Sequence, residues 1–369
     1  MKSIGIICEF NPFHNGHLYF INQIKKMYPD YIIILILNGH FLERGEISII
    51  SKEDKTKLSL NHGIDIVVEL PFIYGTQSAD IFSEASVKLL NYLNVEKIIF
   101  GSESNDISLL ENVAKEHLNN KTFHKLVKTN LKKGYSYPKS VGLASKSNIK
   151  NPNDILGVTY IKSILKNKYN IKYETIKRTS DFHDSKSKEN IVSATNIREK
   201  LNNNQNIDKF IPKDVEKYIN PINQKLLFEL LKIKIITDHN LNKYVGVNEG
   251  LEFRIKRYTN KVDNYIDLVE AVVTKRYTQN NINRTFTHIL CGLLKKDVKK
   301  IQFDYIRILG FNNNGKTYLN KIKKEIKVPL IVDKKSKIYD YELKASLIYD
   351  QLTNGKSYKF EHNNKPIIK

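Results

Sequence analysis

A chain of 369 residues with 41% hydrophobic side chains can bury more than one core, which excludes a wholly disordered protein. Its longest apolar run, Tyr31–Leu37, falls far short of the roughly 20 residues that cross a bilayer, so no membrane partner is expected. A formal charge of +21 favours a polyanionic partner, although a surplus of Lys, Asn and Ile reads equally as A/T-rich coding.

The opening MKSIGIICEF enters a strand pattern at once, without the charged, apolar and small-residue regions of a signal peptide. A cytoplasmic location is therefore expected. Cys8 and Cys291 lack CxxC partners, so neither a disulfide framework nor a zinc knuckle is expected. Cys8, within an apolar strand, is expected to be a small core residue.

In chain order, short β-branched runs occur at Ser3–Cys8, Tyr31–Leu37, Ile64–Leu70, Lys97–Phe100 and Ile171–Ile176. Helical spacing separates them: Leu18, Ile21, Ile24 and Met27; Ala79, Phe82, Ala85 and Leu89; and Asn153 to about Lys166. Strands alternating with helices predict an α/β fold with a parallel sheet and right-handed crossovers. Ligands of such sheets bind beyond the carboxyl ends of the strands, where strand order reverses. The polar stretch Asn202–Asn206, with Pro212 and Pro221 beyond it, marks a boundary near residue 210. Helices are predicted thereafter over Leu226–Ile236, Val262–Arg276, Ile282–Leu294 and Thr317–Ile326, with an edge strand at Val328–Val332.

The first strand ends in Glu9-Phe10-Asn11-Pro12-Phe13-His14-Asn15-Gly16-His17, just where helical spacing begins. A helix start offers free N–H groups and a positive dipole end to an anion. Gly16 lets a phosphate approach the backbone, and His14 and His17, three residues apart, share a face and can both donate to it. The same pair could ligate a metal, but no third ligand stands nearby, so no metal site is expected. Glu9 is either support for the histidines or a plain strand-end acid. Asp65 and Glu69 could be taken for a catalytic carboxylate pair, but one of them is expected to be structural, pairing with a neighbouring base.

The segment resembles the HxGH signature of the nucleotidyltransferase superfamily. A second superfamily element, the (I/V)SxTxIR run, is matched by Val192-Ser193-Ala194-Thr195-Asn196-Ile197-Arg198. Much more of the chain is similar to the tRNA(Met) cytidine acetate ligases. The matches are EFNPFHNGH at the start, Asn38 to Glu46, Val67 to Phe72 with Gln77-Ser78-Ala79, and Phe100-Gly101-Ser102-Glu103. They continue with Pro152 to Gly157, Lys177-Arg178 with His183-Asp184, Glu249 to Glu252, Arg254 to Lys256, Thr274 to Thr278, and Ile306 to Phe311. The chain departs at Asn38 and His40, where the family has Ser and Asn, at Phe182 for Tyr, and at Asn281 for a basic residue.

The resemblance implies a Rossmann-like nucleotidyltransferase domain over residues 1–210 and a mainly helical, basic, tRNA-binding domain over 211–369. It implies ATP contacts from Ile7, Cys8, Glu9, Phe10, Asn11, Pro12, Phe13, His14, Asn15, Gly16, His17, Leu18, Tyr19 and Phe20. Gly101, Asn153, Arg178, Ser193, Thr195 and Arg198 would complete them. The implied reaction joins acetate to N4 of the wobble cytidine in elongator tRNA(Met), through an acetyl-adenylate. Acetate is already ionised at neutral pH, so the site must supply alignment and charge neutralisation rather than a base. His14 and His17 are expected on the α-phosphate, and the Ser193–Arg198 run, with Mg²⁺, on the pyrophosphate. Arg254, Lys256, Lys275, Arg276, Tyr277 and Arg284 are candidates for the RNA backbone and a splayed base, each read alternatively as a solvated helix face. Two other readings are a small-molecule adenylyltransferase and a catalytically silent RNA-binding protein. Phe286 and His288, beside Ile289, Leu290 and Leu293, are expected in a helix core.

Overall fold

The five strands expected in the first half all form, and they lie side by side. A computed structural model of the chain describes residues 1–147, 149–178 and 190–369; His183, Asp184 and Phe182 fall outside them. The strands are β1 (Ser3–Cys8), β2 (Ile32–Asn38), β3 (Ile66–Leu70), β4 (Lys97–Ser102), β5 (Lys172–Lys177), β6 (Ile308–Phe311) and β7 (Ile367–Ile368). Their order across the sheet is β5-β4-β1-β2-β3-β6-β7. Every pairing is parallel except β3 with β6. From β1 the chain first builds towards β3 and then returns to add β4 and β5 on the other side. Strand order therefore reverses between β1 and β4, and a crevice opens beyond Cys8 and Gly101.

Alternation along the strands divides the core into two layers. Ile32, Ile34, Ile36, Ile66 and Val68 bury into one, while Ile33, Leu35, Leu37 and Val67 bury into the other. Both faces are covered, which is why β2 reads as an unbroken apolar run.

The second part of the chain differs from expectation in three places. No strand forms at 328–332; the sheet instead takes β6 and β7, and Pro329 only offers its carbonyl to the Ile306 N–H at 2.8 Å. The segment 262–276 is helical only over Tyr265–Val272, because Asn264 caps its start and Arg254 closes its end. The helix Lys337–Thr353 was not anticipated; its buried polar and aromatic residues blur the apolar stripe.

That helix carries Glu342 into the interior, where it meets Glu69, Glu361, Lys52 and Arg307. All five side chains are at most 3% exposed. Lys52 reaches Glu342 at 2.7 Å and bonds Glu69 as well, so Glu69 is structural. Asp65 is structural too, accepting from the Ile33 N–H and the Asn312 amide at 2.8 Å each. The three carboxylates sit close enough to hold a metal, but Lys52 and Arg307 already fill that role. Removing one partner of a buried pair leaves the others uncompensated, at a cost of about 3–5 kcal/mol. Lys52→Met is expected to lose stability on that scale, read as a lower urea midpoint.

Candidate active site

The crevice at the strand reversal is built around the first turn of helix Asn15–Met27. Its cap is reciprocal: Nδ1 of His14 accepts from the Gly16 N–H at 3.0 Å, and Nδ1 of His17 accepts from the His14 N–H at 3.2 Å. An imidazole that accepts at Nδ1 while neutral carries its proton on Nε2. Both rings are thereby fixed in one tautomer, with Nε2–H left for a ligand. They stack with centroids 3.8 Å apart, and the ring of Phe10 meets His17 edge-on at 4.7 Å. Gly16 is required for more than phosphate access. A Cβ there would lie 2.8 Å from Cε1 of His14 and push the ring off the helix end.

Burial drives the His14 pKa down to about 3, with Arg178 and Arg198 adding to the shift. Burial likewise holds His17 well below the usual histidine range, with His14 and Arg178 contributing. Both rings are neutral donors at physiological pH and, unlike an exposed histidine, stay neutral as the pH falls through 6.5.

A cavity of about 460 Å³ opens over this turn, of a size that suits a nucleotide. Of the first segment, Ile7, Cys8, Glu9, Phe10, Asn11, His14, Gly16, His17, Tyr19 and Phe20 line it. Pro12, Phe13, Asn15 and Leu18 do not. Phe13 is fully buried and stacks on His62, while the Asn15 amide bonds the carbonyls of Asn190 and Lys209. Cys8 is half-buried: it packs against one core layer, as expected, and also lines the cavity, because the strand end is where the layers part.

The remaining expected residues converge on the same space. Gly101, Asn153, Arg178, Ser193, Thr195 and Arg198 all line the cavity. Ser193 caps helix Ala194–Asn202 by accepting from the Asn196 N–H at 3.2 Å. Arg198 donates to the Asn11 carbonyl at 2.8 Å and to Glu46 at 2.8 Å. Arg178 has a buried Nε with no hydrogen-bond acceptor among the described residues, the nearest carboxylate of Glu103 being 3.8 Å away. The amide nitrogen of Asn11 is likewise buried and unpaired. Orphaned buried donors are costly, and an anionic ligand would satisfy both. The Asn153 amide donates to Glu103 at 2.6 Å.

The loop from Asn38 to Glu46 forms the cavity's far wall through Leu42, Glu43, Arg44 and Glu46. Sequence reasoning gave these residues no role, since an irregular loop has no periodicity to betray which side chains converge. Glu9 resolves as the loop's anchor, accepting from the Asn38 amide at 2.8 Å and the Glu43 N–H at 2.7 Å. Asn38 thus serves here although the resembling family has Ser. Lys55, buried beneath, donates to the carbonyls of Glu9, Asn38 and Gly39 and ties the ends of β1 and β2 together.

A model of the HIGH nucleotidyl transferase family matches residues 1–365. A tRNA(Met) cytidine acetate ligase of Geobacillus sp. is 37% identical, over 95% of this chain and 94% of its own. That of Bacillus subtilis is 36% identical, over 95% and 92%. The chain belongs to the tRNA(Met) cytidine acetate ligase family. Solved structures agree: Thermotoga maritima TmcAL, without ligand, superposes with a TM-score of 0.90 at 29% identity, covering 100% of this chain and 99% of that one. The same protein bound with alpha-thio ATP gives a TM-score of 0.88 with the same coverage.

In this family member the basic candidates of the second half are dispersed. Arg254 donates to the carbonyls of Ala271 and Val272 at 2.6 and 2.9 Å and so closes a helix end. Arg284 pairs with Glu43 at 3.0 Å, behind the nucleotide cavity. Lys256 donates to the His239 carbonyl at 3.0 Å, and the Tyr277 hydroxyl to that of Asn248 at 2.9 Å. Lys275 and Arg276 are exposed; Lys275 lies over the Tyr135 ring at 3.9 Å. Phe286 and His288 are core residues, as expected, at 1% and 2% exposure. No helix among the described residues is long and apolar enough to cross a membrane.

The depressed histidine values set a sign for stability. His14 binds a proton near 6.5 in the unfolded chain but only near 3 in the fold, so stability is full above the former and falls as pH drops between them. The His14 ring contributes up to about 1.4 kcal/mol per pH unit across that window. The His14 ring protons are expected to hold their neutral chemical shift from pH 8 to 5 in the free protein, checked by NMR titration.

Proposed function

We propose that the protein uses ATP to activate acetate and transfers the acetyl group to N4 of the wobble cytidine of elongator tRNA(Met). The observation that carries the reading is the pair of neutral imidazoles locked with Nε2–H towards a nucleotide-sized cavity at the strand reversal. The names of the relatives and the ATP analogue held by the Thermotoga protein support it.

In the first step an acetate oxygen attacks the α-phosphorus of ATP and pyrophosphate leaves, giving acetyl-adenylate. Acetate is already anionic, so no base is needed. His14 and His17 donate to the α-phosphate, where charge grows as phosphorus becomes five-coordinate. Because they are neutral, each keeps accepting a backbone N–H at Nδ1 while it donates from Nε2. Arg178 and the Asn11 amide offer unsatisfied donors to the ligand, and Ser193, Thr195 and Arg198 lie on the side assigned to pyrophosphate. In the second step the exocyclic amine attacks the acetyl carbon, the acyl–oxygen bond to AMP breaks, the amine's surplus proton passes to solvent, and AMP departs.

Among the described residues, the cavity offers Mg²⁺ no dedicated protein cage. Of the carboxylates lining the cavity, Glu9 accepts from Asn38 and Glu43, Glu43 pairs with Arg284, and Glu46 with Arg198. A magnesium ion fits only as a companion of the triphosphate. The residues up to 210 bind ATP in this reading, and the later ones meet the RNA, with Lys275 and Arg276 the exposed candidates.

Acetate-dependent release of pyrophosphate separates this reading from a small-molecule adenylyltransferase, which needs no acetate. His17→Ala is expected to lower that release by about 10²–10³-fold while the protein stays folded, because one charge-stabilising donor is lost. Full turnover by the variant would remove the imidazoles from the mechanism. Wild-type protein, ATP, labelled acetate and bulk tRNA should then yield a labelled cytidine on digestion of the RNA.

A further inference from the structure

A second cavity, of about 420 Å³, lies against the first. The residues common to both linings are Glu46 and Arg198, whose side chains are ion-paired at 2.8 Å. Its other walls come from both halves of the chain: Phe41 from the loop, Ile222 and Leu227 from the segment after the boundary, and Tyr265, Asn283 and Phe286 from the helices beyond.

The composition of this lining is unlike that of the chain. Lys and Arg number 60 in the sequence, yet apart from the Glu46–Arg198 pair no charged residue among the described ones lines the cavity. Such walls offer a phosphate no free cation and suit a flat, neutral ligand with a few polar edges. Aromatic rings are present to stack upon it. Asn283 is oriented by its neighbour: its Oδ1 accepts from the Tyr265 hydroxyl at 3.2 Å, which leaves its NH₂ to donate to a carbonyl.

We propose that this cavity receives the acceptor nucleobase of the RNA, unstacked from its loop, with its exocyclic amine towards the Glu46–Arg198 partition. The proposal rests on the two-step reaction above and gives that reaction its second binding site. A base seated there has adenylate on the far side of a single ion pair, while the RNA backbone stays outside with the exposed lysines. A two-cavity layout also explains why the wall between them is a salt bridge rather than packed apolar side chains, since a pair of charged chains can part without leaving a void.

Two variants test it, Ile222→Trp to fill the half-buried rim and Asn283→Ala to remove the donor. Both lie outside the nucleotide cavity. Acetate-dependent pyrophosphate release, measured without RNA, is expected to stay within about twofold of wild type, which also reports that the variants fold. Acetyl transfer to tRNA is expected to fall by about 10–100-fold in kcat/KM, the range spanned by losing one stacked or hydrogen-bonded base contact. Acetylation at the wild-type rate by both variants overturns the assignment. So does a fall in pyrophosphate release that matches the fall in transfer, which would mark a structural role. If the wild-type protein itself releases no pyrophosphate in response to acetate, the reaction above is wrong, and the base site falls with it.

Discussion

The arrangement depends on one reciprocal contact, in which each of two histidine rings accepts a backbone N–H within the same helical turn. Ser, Thr, Asp or Asn would cap the helix as well, but none would then present a ring N–H on the opposite edge. Accepting at Nδ1 determines the proton's position on Nε2, and burial keeps the rings neutral, so tautomer and charge are set together. Gly16 makes room for the His14 ring and Phe10 braces that of His17. The motif is therefore a small machine for aiming two neutral donors, and the sheet supplies the crevice into which they point.

Much of this was legible beforehand, for identifiable reasons. The five strands of the first half are short β-branched runs between amphipathic segments, a pattern that admits few alternatives, and the cap sits where strand becomes helix. Arg178 and Gly101, far apart in sequence, were joined to it by the family resemblance, with which their places at two strand ends agree. The loop wall was not legible: Glu43 and Glu46 act through contacts with Arg284 and Arg198, and neither partner is signalled by local spacing. Nor was the return of β6 and β7 to the sheet, since four- and two-residue strands carry too little pattern to register. Cys8 packs against the core as its apolar neighbourhood suggested, but that neighbourhood says nothing about where a crevice interrupts the layer, so its second place on the cavity wall was not visible.

The basic second half shows why charge alone is a poor guide to role. Arg254 terminates a helix and Arg284 backs the nucleotide cavity, so two residues that looked like RNA contacts are part of the architecture. Gly45 explains how the halves come so near. Its φ of 75° suits glycine, and a Cβ there would sit 2.3 Å from the Arg284 nitrogen. The loop backbone lies directly on the helix Gln279–Cys291, with the Thr287 hydroxyl donating to the Gly45 carbonyl at 3.0 Å.

The buried charges about Lys52 carry a consequence for how the chain reaches this state. Lys52 and Glu342 are 290 positions apart, and Glu361 joins them from near the other end of the sheet. An ammonium shut away from water before its partners arrive is strongly unfavourable. Contacts of such long separation form slowly, because loop closure must precede their reward. The charge of Lys52 is therefore balanced only in a chain whose last two helices are in place, so that a truncation far from the crevice in sequence would expose an unpaired ammonium beneath the loop.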